Sequence, residues 1–422
     1  MARRIQIVRT MPLLISVVLA TLSTAAAQEA TKFDFQWFKG NLHTHSLWSD
    51  GDEFPEVIAA WYAEHGYNFL ALSDHNTLSR GMRWMPLPDI IGRSDEGILQ
   101  RYQNRFGSDW VETRQDPQSG RLDVRLKPLD EFRCLVERAG SFIMIEGEEI
   151  SDKSEGLPVH LNVSNTAERI EPVGGQTVRE AIANNLRAVL EHEEKSGRNL
   201  MLHLNHPNFH YAVTAEDLAH VVQEQFFEVY NGHPGVNHLG DEQHISIERM
   251  WDVINAIRLS ALNSPPILGI ATDDSHEYHG KPGSRPGRGW VMVRSKYLTP
   301  EHLIRSLESA NFYASSGVTL RDVQFSSDSR TLSLSIAPAE GATYITRFIT
   351  TLRNRESGES LPKDESIGRV VAEVEGLSPS YTMKDDQLYV RAVVTSSLEH
   401  SDPSFDGQFR QAWTQPVGWT IR

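Results

Sequence analysis

Between residues 38 and 317, short apolar runs alternate with longer amphipathic stretches. The runs at 37–43, 67–73, 142–145, 157–163, 200–204, 226–230 and 267–271 have the length and composition of buried strands. Residues 55–65 place Ile58, Trp61 and Tyr62 on one face, with Pro55 in the first turn, and read as a helix. Residues 129–138, 176–194 (closed by Gly197), 242–262 and 299–309 also have helical periodicity. Strand–helix alternation predicts a parallel sheet covered by helices, an α/β architecture. Residues 80–128 break the rhythm. They are rich in Arg, Asp, Gly and Pro, carry Trp84 and Trp110, and read as an excursion from the sheet. Beyond about residue 320 the pattern changes to short alternating segments at 332–336, 344–351, 370–374 and 388–394. Turn residues separate them at Asp328-Ser329, Gly341 and Ser357-Gly358, which predicts an antiparallel β-sandwich.

The first residues do not fit this scheme. Arg3, Arg4 and Arg9 precede a short apolar stretch at 11–22, followed by Ala25-Ala26-Ala27. This is the pattern of an export signal over residues 1–27, too short for a comfortable membrane span. The expected organisation is therefore a signal segment at 1–27, a catalytic α/β part at 33–319 with the insertion 80–128, and a β-sandwich at 320–422. The expected location is periplasmic or extracellular, with no membrane span after cleavage.

Composition narrows the chemistry. The 422 residues carry 41 Lys+Arg against 56 Asp+Glu, a net charge of −15, so the basic footprint of a nucleic-acid binder is absent. The one cysteine, Cys134, excludes an intramolecular disulfide framework and a cysteine-based zinc site. It reads as a small core residue. Histidine is unusual in its placement: 15 of 17 precede residue 280.

Those histidines fall at strand ends, where a parallel α/β fold collects reactive groups. The first strand ends in His43-Thr44-His45, whose period-two spacing puts both rings on one face, and Asp50 follows. Later runs end in Ser73-Asp74-His75, Glu146-Gly147-Glu148-Glu149, Asn205-His206-Pro207, Asn231-Gly232-His233 and Asp273-Asp274-Ser275-His276, and His160 lies on the run at 157–163. One strand-end His is ordinarily a hydrogen-bonding residue. Seven consecutive strand ends offering His, Asp or Glu would repel one another unless cations lay among them. Imidazole with carboxylate and no thiolate suits zinc, manganese or iron, and the expected chemistry is metal-assisted hydrolysis by a metal-held hydroxide.

The ordered set His43-Thr44-His45, Ser73-Asp74-His75-Asn76, Gly147-Glu148-Glu149-Ile150-Ser151, Asn205-His206-Pro207 and Asp274-Ser275-His276 resembles the motif series of the polymerase and histidinol phosphatase (PHP) family. The resemblance implies a distorted (β/α)7 barrel holding two or three divalent ions and hydrolysing mainly phosphoesters. It also implies three ligand groups: His43, His45, Glu149 and Asp274; then Glu149, His160 and His206; then Asp50, His75 and His276. Asp74, Glu148 and Asp273 would support these ligands. Family members that bind phosphomonoesters often carry Arg soon after the His-Pro pair, where this chain has Asn208. Arg285 and Arg288, in a glycine-rich loop, and Asn231 are the candidate substrate contacts. His233 is the candidate proton donor, beside Glu149, Asp274 and His276 as catalytic residues.

Residues 288–293, 298–301 and 311–317 resemble a branch of the family containing carbamate and aryl-ester hydrolases. The expected substrate is thus a small phosphoester, mono- or diester. A carboxyl ester or carbamate is the second choice, and a non-catalytic envelope-binding module the third. Trp84 and Trp110 would favour an aromatic leaving group if they line the pocket.

Overall fold

The structure is a computed structural model that describes residues 34–353 and 361–421; the leader and the Ser357-Gly358 turn lie outside them. A mixed sheet of thirteen strands dominates. Its larger part runs, in spatial order, Leu268–Thr272, Phe226–Asn231, Met201–Leu204, Leu157–Ser164, Ile143–Ser154, Phe69–Leu72, Gln36–Asn41, Trp290–Ser295 and Phe312–Ser315. Gln36–Asn41, Phe69–Leu72 and Ile143–Ser154 pair in parallel, as do Met201–Leu204, Phe226–Asn231 and Leu268–Thr272.

The sheet is not parallel throughout. Ile143–Ser154 and Leu157–Ser164 form a long antiparallel hairpin, and Leu157–Ser164 pairs antiparallel with Met201–Leu204. The hairpin turns through Glu155 and Gly156, at φ 55° and 80°, the double positive-φ geometry that suits a two-residue connection. An apolar run reports burial, not direction, so this reversal was invisible to periodicity.

Past the strand ends, Thr44 makes an isolated parallel bridge to Ser275, and His45 N–H donates to Ser275 O at 2.9 Å. The sheet therefore curls until the segments that follow Gln36–Asn41 and Leu268–Thr272 touch at one point. Its inward side is apolar at the entry ends: Phe38, Phe69, Ile145, Met201, Phe226 and Leu268 cluster with Leu303, Ile304 and Leu307 of the helix Pro300–Glu308. That leaves the exit ends for polar groups. The helices Val178–Ser196, Ile247–Ser260 and Pro300–Glu308 each begin on a Thr or Ser whose hydroxyl accepts a first-turn N–H. The Ser246 cap is why the helix predicted at 242–262 starts at Ile247.

The insertion holds a small sheet of Arg83–Pro86, Leu122–Leu126 and Thr113–Gln115 with two helices, Leu87–Arg93 and Ile98–Phe106. Its core includes Leu47, Trp48 and Phe54, from the loop that carries Asp50. Arg83 and Arg93 donate to the carbonyls of Trp48 and Ser49. The insertion thus buttresses the Asp50 loop. Trp110 donates to Glu56 at 2.9 Å, and Trp84 lies under Arg114.

The C-terminal strands Phe409–Thr414, Arg391–Glu399, Tyr344–Thr350 and Arg369–Glu375 extend the same sheet, through pairing of Tyr313 with Thr414. The hydrogen-bond ladder therefore crosses the expected boundary at 320. A second layer of Leu320–Ser326, Thr331–Ile336 and Ser380–Thr382 packs on it through Leu332, Leu334, Phe348, Ala392 and Val394. Buried Arg391 binds Asp252 of the helix Ile247–Ser260 at 2.7 and 2.8 Å, and Tyr389 donates to the same carboxylate. Cys134 is exposed rather than in the core. Among the described residues no helix is long and apolar enough to cross a membrane.

Candidate metal centre

The exit ends of the strands bring the predicted residues together. Asn41 accepts from His43 N–H at 2.9 Å, which sets the start of the His-x-His segment, and both rings are buried. His43 Nε2, His45 Nε2 and Asp274 Oδ1 stand 3.1 Å from one another. Glu149 closes the group, 3.6 Å from each ring. Its Oε1 also lies 3.0 Å from His160 Nδ1 and 3.7 Å from His206 Nε2, and its Oε2 lies 2.5 Å from His75 Nδ1. Asp50, half exposed, meets His75 Nε2 and His276 Nε2 at 3.4 Å and His45 Nδ1 at 3.7 Å. Asp274 and His206 occupy left-handed backbone, at φ 48° and 21°, a strain typical of residues held for chemistry.

The charges are strongly coupled. Burial alone would raise the Glu149 and Asp274 carboxyls, but the surrounding imidazoles overcome it and hold both well below the usual carboxylate range. Burial, with His276 and His75 nearby, pushes His45 down to about 3. Against burial, Glu149 and Asp50 raise His75 to about 11, and Asp50 and Asp274 raise His276 to about 9.

The donor set fits divalent cations. His43 and His45 aim their Nε2 atoms at each other across 3.1 Å, an arrangement of two like groups that an ion between them would satisfy. Buried Glu149 Oε2 and His160 Nδ1 have no hydrogen-bond partner although other ligand atoms stand 2.5 and 3.0 Å away. Three sets of these residues have atoms close enough to share an ion: His43, His45 and Asp274; His75, Glu149 and His160; and His45, Asp50, His75 and His276.

The neighbouring carboxylates face outward from this cluster. Asp74 accepts from Ser46 N–H, Ser46 Oγ and Ser49 Oγ, fixing the Asp50 loop. Asp273 accepts from the N–H groups of Gly287, Arg288 and Gly289 and from Tyr62. Glu148 accepts from Ile170 N–H, and burial pushes it up to about 7.

Glu228 and buried His203 escaped the sequence reading; with His43 they form a further set of atoms close enough to share an ion. Glu228, fully buried, accepts from His43 Nδ1, His206 N–H and Asn231 Nδ2 at 2.7 Å and from Thr272 Oγ1 at 2.6 Å. It orients two ligand candidates at once. The available signal was a carboxylate inside the apolar run Phe226-Phe227-Glu228-Val229-Tyr230, which demands a partner when buried.

The remaining candidates divide. Asn231 donates to Glu228 and, at 3.2 Å, to Asp274, so it lies within the cluster. The His233 ring centre is 6.0 Å from that of His276 and 5.5 Å from that of Phe209, at the cluster's rim. Arg285 and Arg288 are held elsewhere: both bind Asp402, and buried Arg288 also donates to the carbonyls of Gly232 and Gly283 at 2.7 and 2.8 Å. They brace the loop after Asp274.

Among solved structures, the chain is similar to a two-domain protein of Bacteroides vulgatus ATCC 8482 described as containing a predicted PHP-like metal-dependent phosphoesterase. The identity is 14% over 90% of this chain and 95% of that one, with a TM-score of 0.40. It is also similar to a chain from Bifidobacterium adolescentis ATCC 15703 described as a metal-dependent phosphoesterase, at 13% identity over 58% of this chain and 90% of that one, with a TM-score of 0.31. At such values neither likeness identifies this chain's activity. No family profile and no curated protein matches it.

Proposed function

We propose that the protein is an exported metal-dependent hydrolase of the phosphoesterase type, its curled sheet serving as a distorted barrel of the PHP kind. The observation that carries this reading is the convergence of His43, His45, Glu149 and Asp274 on one buried point, with His160 and His206 on one side and Asp50, His75 and His276 on the other. The export part rests on the leader Arg3, Arg4, Arg9 and Ala25–Ala27.

His43, His45, Glu149 and Asp274 would hold one ion, Glu149 with His160 and His206 a second, and Asp50, His75 and His276 a third. Divalent cations bound there supply Lewis acidity and make water reactive near neutral pH. The chain's own residues do the rest. Glu149 presents one carboxylate oxygen to each side, which suits it to bridge. Asp74 and the insertion fix the loop that brings Asp50 in. His233 Nδ1 accepts from Gly235 N–H at 2.9 Å, so the neutral ring carries its proton on Nε2. Burial holds the His233 pKa below its ordinary value and keeps that form at neutral pH. His233 is thereby a hydrogen-bond donor to a substrate oxygen.

A carboxyl ester or carbamate is the second reading, favoured by the engagement of Arg285 and Arg288 with Asp402 instead of an anionic substrate. The deciding experiment measures bound metal in the purified protein and assays phosphomonoester, phosphodiester, aryl ester and carbamate side by side. Phosphoester turnover that is lost together with metal in Glu149→Ala is expected. Turnover of carbonyl substrates alone overturns the phosphoesterase reading, and full activity without metal overturns the centre itself.

A further inference from the structure

An open groove of about 610 Å3 leads away from the second ion group. One wall is the tip of the long hairpin, with Ser151, Lys153, Leu157 and Pro158; the other is the turn after Met201–Leu204, with Phe209 and His210. His160 lines its inner end, and Ser151 Oγ stands 2.5 Å from His75 Nδ1, so two residues belong both to the groove and to the cluster's surroundings. A space of this size exceeds a bare phosphate and matches a ligand with a substantial organic arm.

The turn wall is rigid. Buried Asn208 donates to the carbonyls of Asn237 and Ile245 at 3.0 Å, and Phe209 N–H and Ala212 N–H close the turn on His206 O and Phe209 O. His210 and Tyr211 sit at φ 54° and 52°. Phe209 is thereby fixed with its ring edge-on to His206 (centres 5.1 Å apart) and to His233 (5.5 Å apart). Leu157 and Pro158 present apolar surface from the hairpin wall. Among the described residues lining the groove, Lys153, exposed at its rim, is the one Lys or Arg, and Asp152, which accepts from Gly174 N–H and Asn185 Nδ2, is the one carboxylate. Asn208 is committed to the turn, and Arg285 and Arg288 to Asp402.

We propose that this groove receives the organic arm of a phosphodiester, and that the substrate class is a monoanionic diester with an apolar or aromatic arm rather than a phosphomonoester. This rests on the reading of the cluster as a phosphoesterase centre. Beyond the ion groups, a monoester dianion is held best by bidentate guanidinium partners, and among the described residues no arginine lines the groove. A diester monoanion needs less counter-charge and gains from apolar walls. Hydrolysis of such a diester adds one water across a P–O bond, releasing an alcohol and leaving a phosphomonoester that the groove retains poorly.

The test uses stable anions on the metal-loaded full chain, by calorimetry: diphenylphosphinate, dimethylphosphinate and phenylphosphonate. Diphenylphosphinate is expected to bind about tenfold more tightly than dimethylphosphinate, and more tightly than the phenylphosphonate dianion. Phe209→Ala, with unchanged metal content, is expected to erase the phenyl preference, and Leu157→Ser on the opposite wall to weaken it. Equal affinity for the two phosphinates, tighter binding of the dianion, or an undiminished phenyl preference in both variants overturns the proposal. The two readings fail differently. A protein that prefers diphenylphosphinate yet cleaves no phosphoester refutes the phosphoesterase reading. One that cleaves phosphoesters with no phenyl preference refutes only the groove.

Discussion

Glu228→Gln tests whether the carboxylate behind His43 tunes the centre. Glu228 takes four donors at 2.6–2.7 Å: His43 Nδ1, Thr272 Oγ1, Asn231 Nδ2 and His206 N–H. Glutamine has the same shape but one acceptor oxygen, so its amide NH2 must face two of these donors. With the amide nitrogen in place of Oε1, which takes His43 and Thr272, His43 loses either its orienting partner or the tautomer that leaves Nε2 free toward Asp274, 3.1 Å away; in place of Oε2, His206 N–H and Asn231 lose their acceptor. Removing such a supporting group typically costs 10–100-fold in metal affinity, about 1.4–2.8 kcal/mol. The loss should fall on the ions nearest His43 and His206, and leave the Asp50, His75 and His276 group occupied. A chelator competition titration with zinc, read with total metal content and a thermal melt, measures it. A folded Glu228→Gln protein whose ions all bind with wild-type affinity would refute the account of Glu228 as an orienting group.

Two further outcomes concern stability. Arg391→Met should cost about 3–5 kcal/mol in urea unfolding, because it strands the buried Asp252 carboxylate; adding Asp252→Asn should recover part of that, and strictly additive losses would contradict a paired role. Burial pushes Glu224 up to about 8, against Phe226 N–H and Arg258. Between an unfolded value near ~4.3 and this folded value, the native state keeps a proton that the unfolded state has lost. Stability therefore falls as pH rises through that window. Glu224→Gln should flatten the decline in melts taken at about pH 5 and pH 8, and an unchanged slope would count against it.

Local patterns announced much of the centre. His43 and His45 share a face because strands alternate, and Asp274 and His276 follow an apolar run, so their convergence was legible in short segments. What escaped depends on partners distant in the chain. Arg288 looked available for substrate because Asp402, which binds it, is 114 residues away. Glu228 looked like a strand residue because three of its four donors, from His43, His206 and Thr272, come from other segments. Hairpin direction also escaped: the run at 142–145 continues as a strand to Ser154 and turns back, and the polar residues Glu148 to Ser154 hid the extension. In the C-terminal part the strand expected at 388–394 spans Arg391–Glu399, because its ladder is set by pairing with Tyr344–Thr350 and Phe409–Thr414 rather than by its own alternation.

The Asp402 contact bears on the order in which the molecule can be finished. Every proposed ligand is synthesised before residue 280, but the loop after Asp274 acquires its carboxylate brace only when Asp402 arrives, and Phe312–Ser315 gains its outer neighbour only with Phe409–Thr414. A chain delivered from its N-terminus therefore carries a complete ligand set on an incomplete scaffold, with a bare β edge and an unneutralised arginine. Chains cut short near their end lose the brace and the edge cover together. A single late segment thus completes both the brace and the edge.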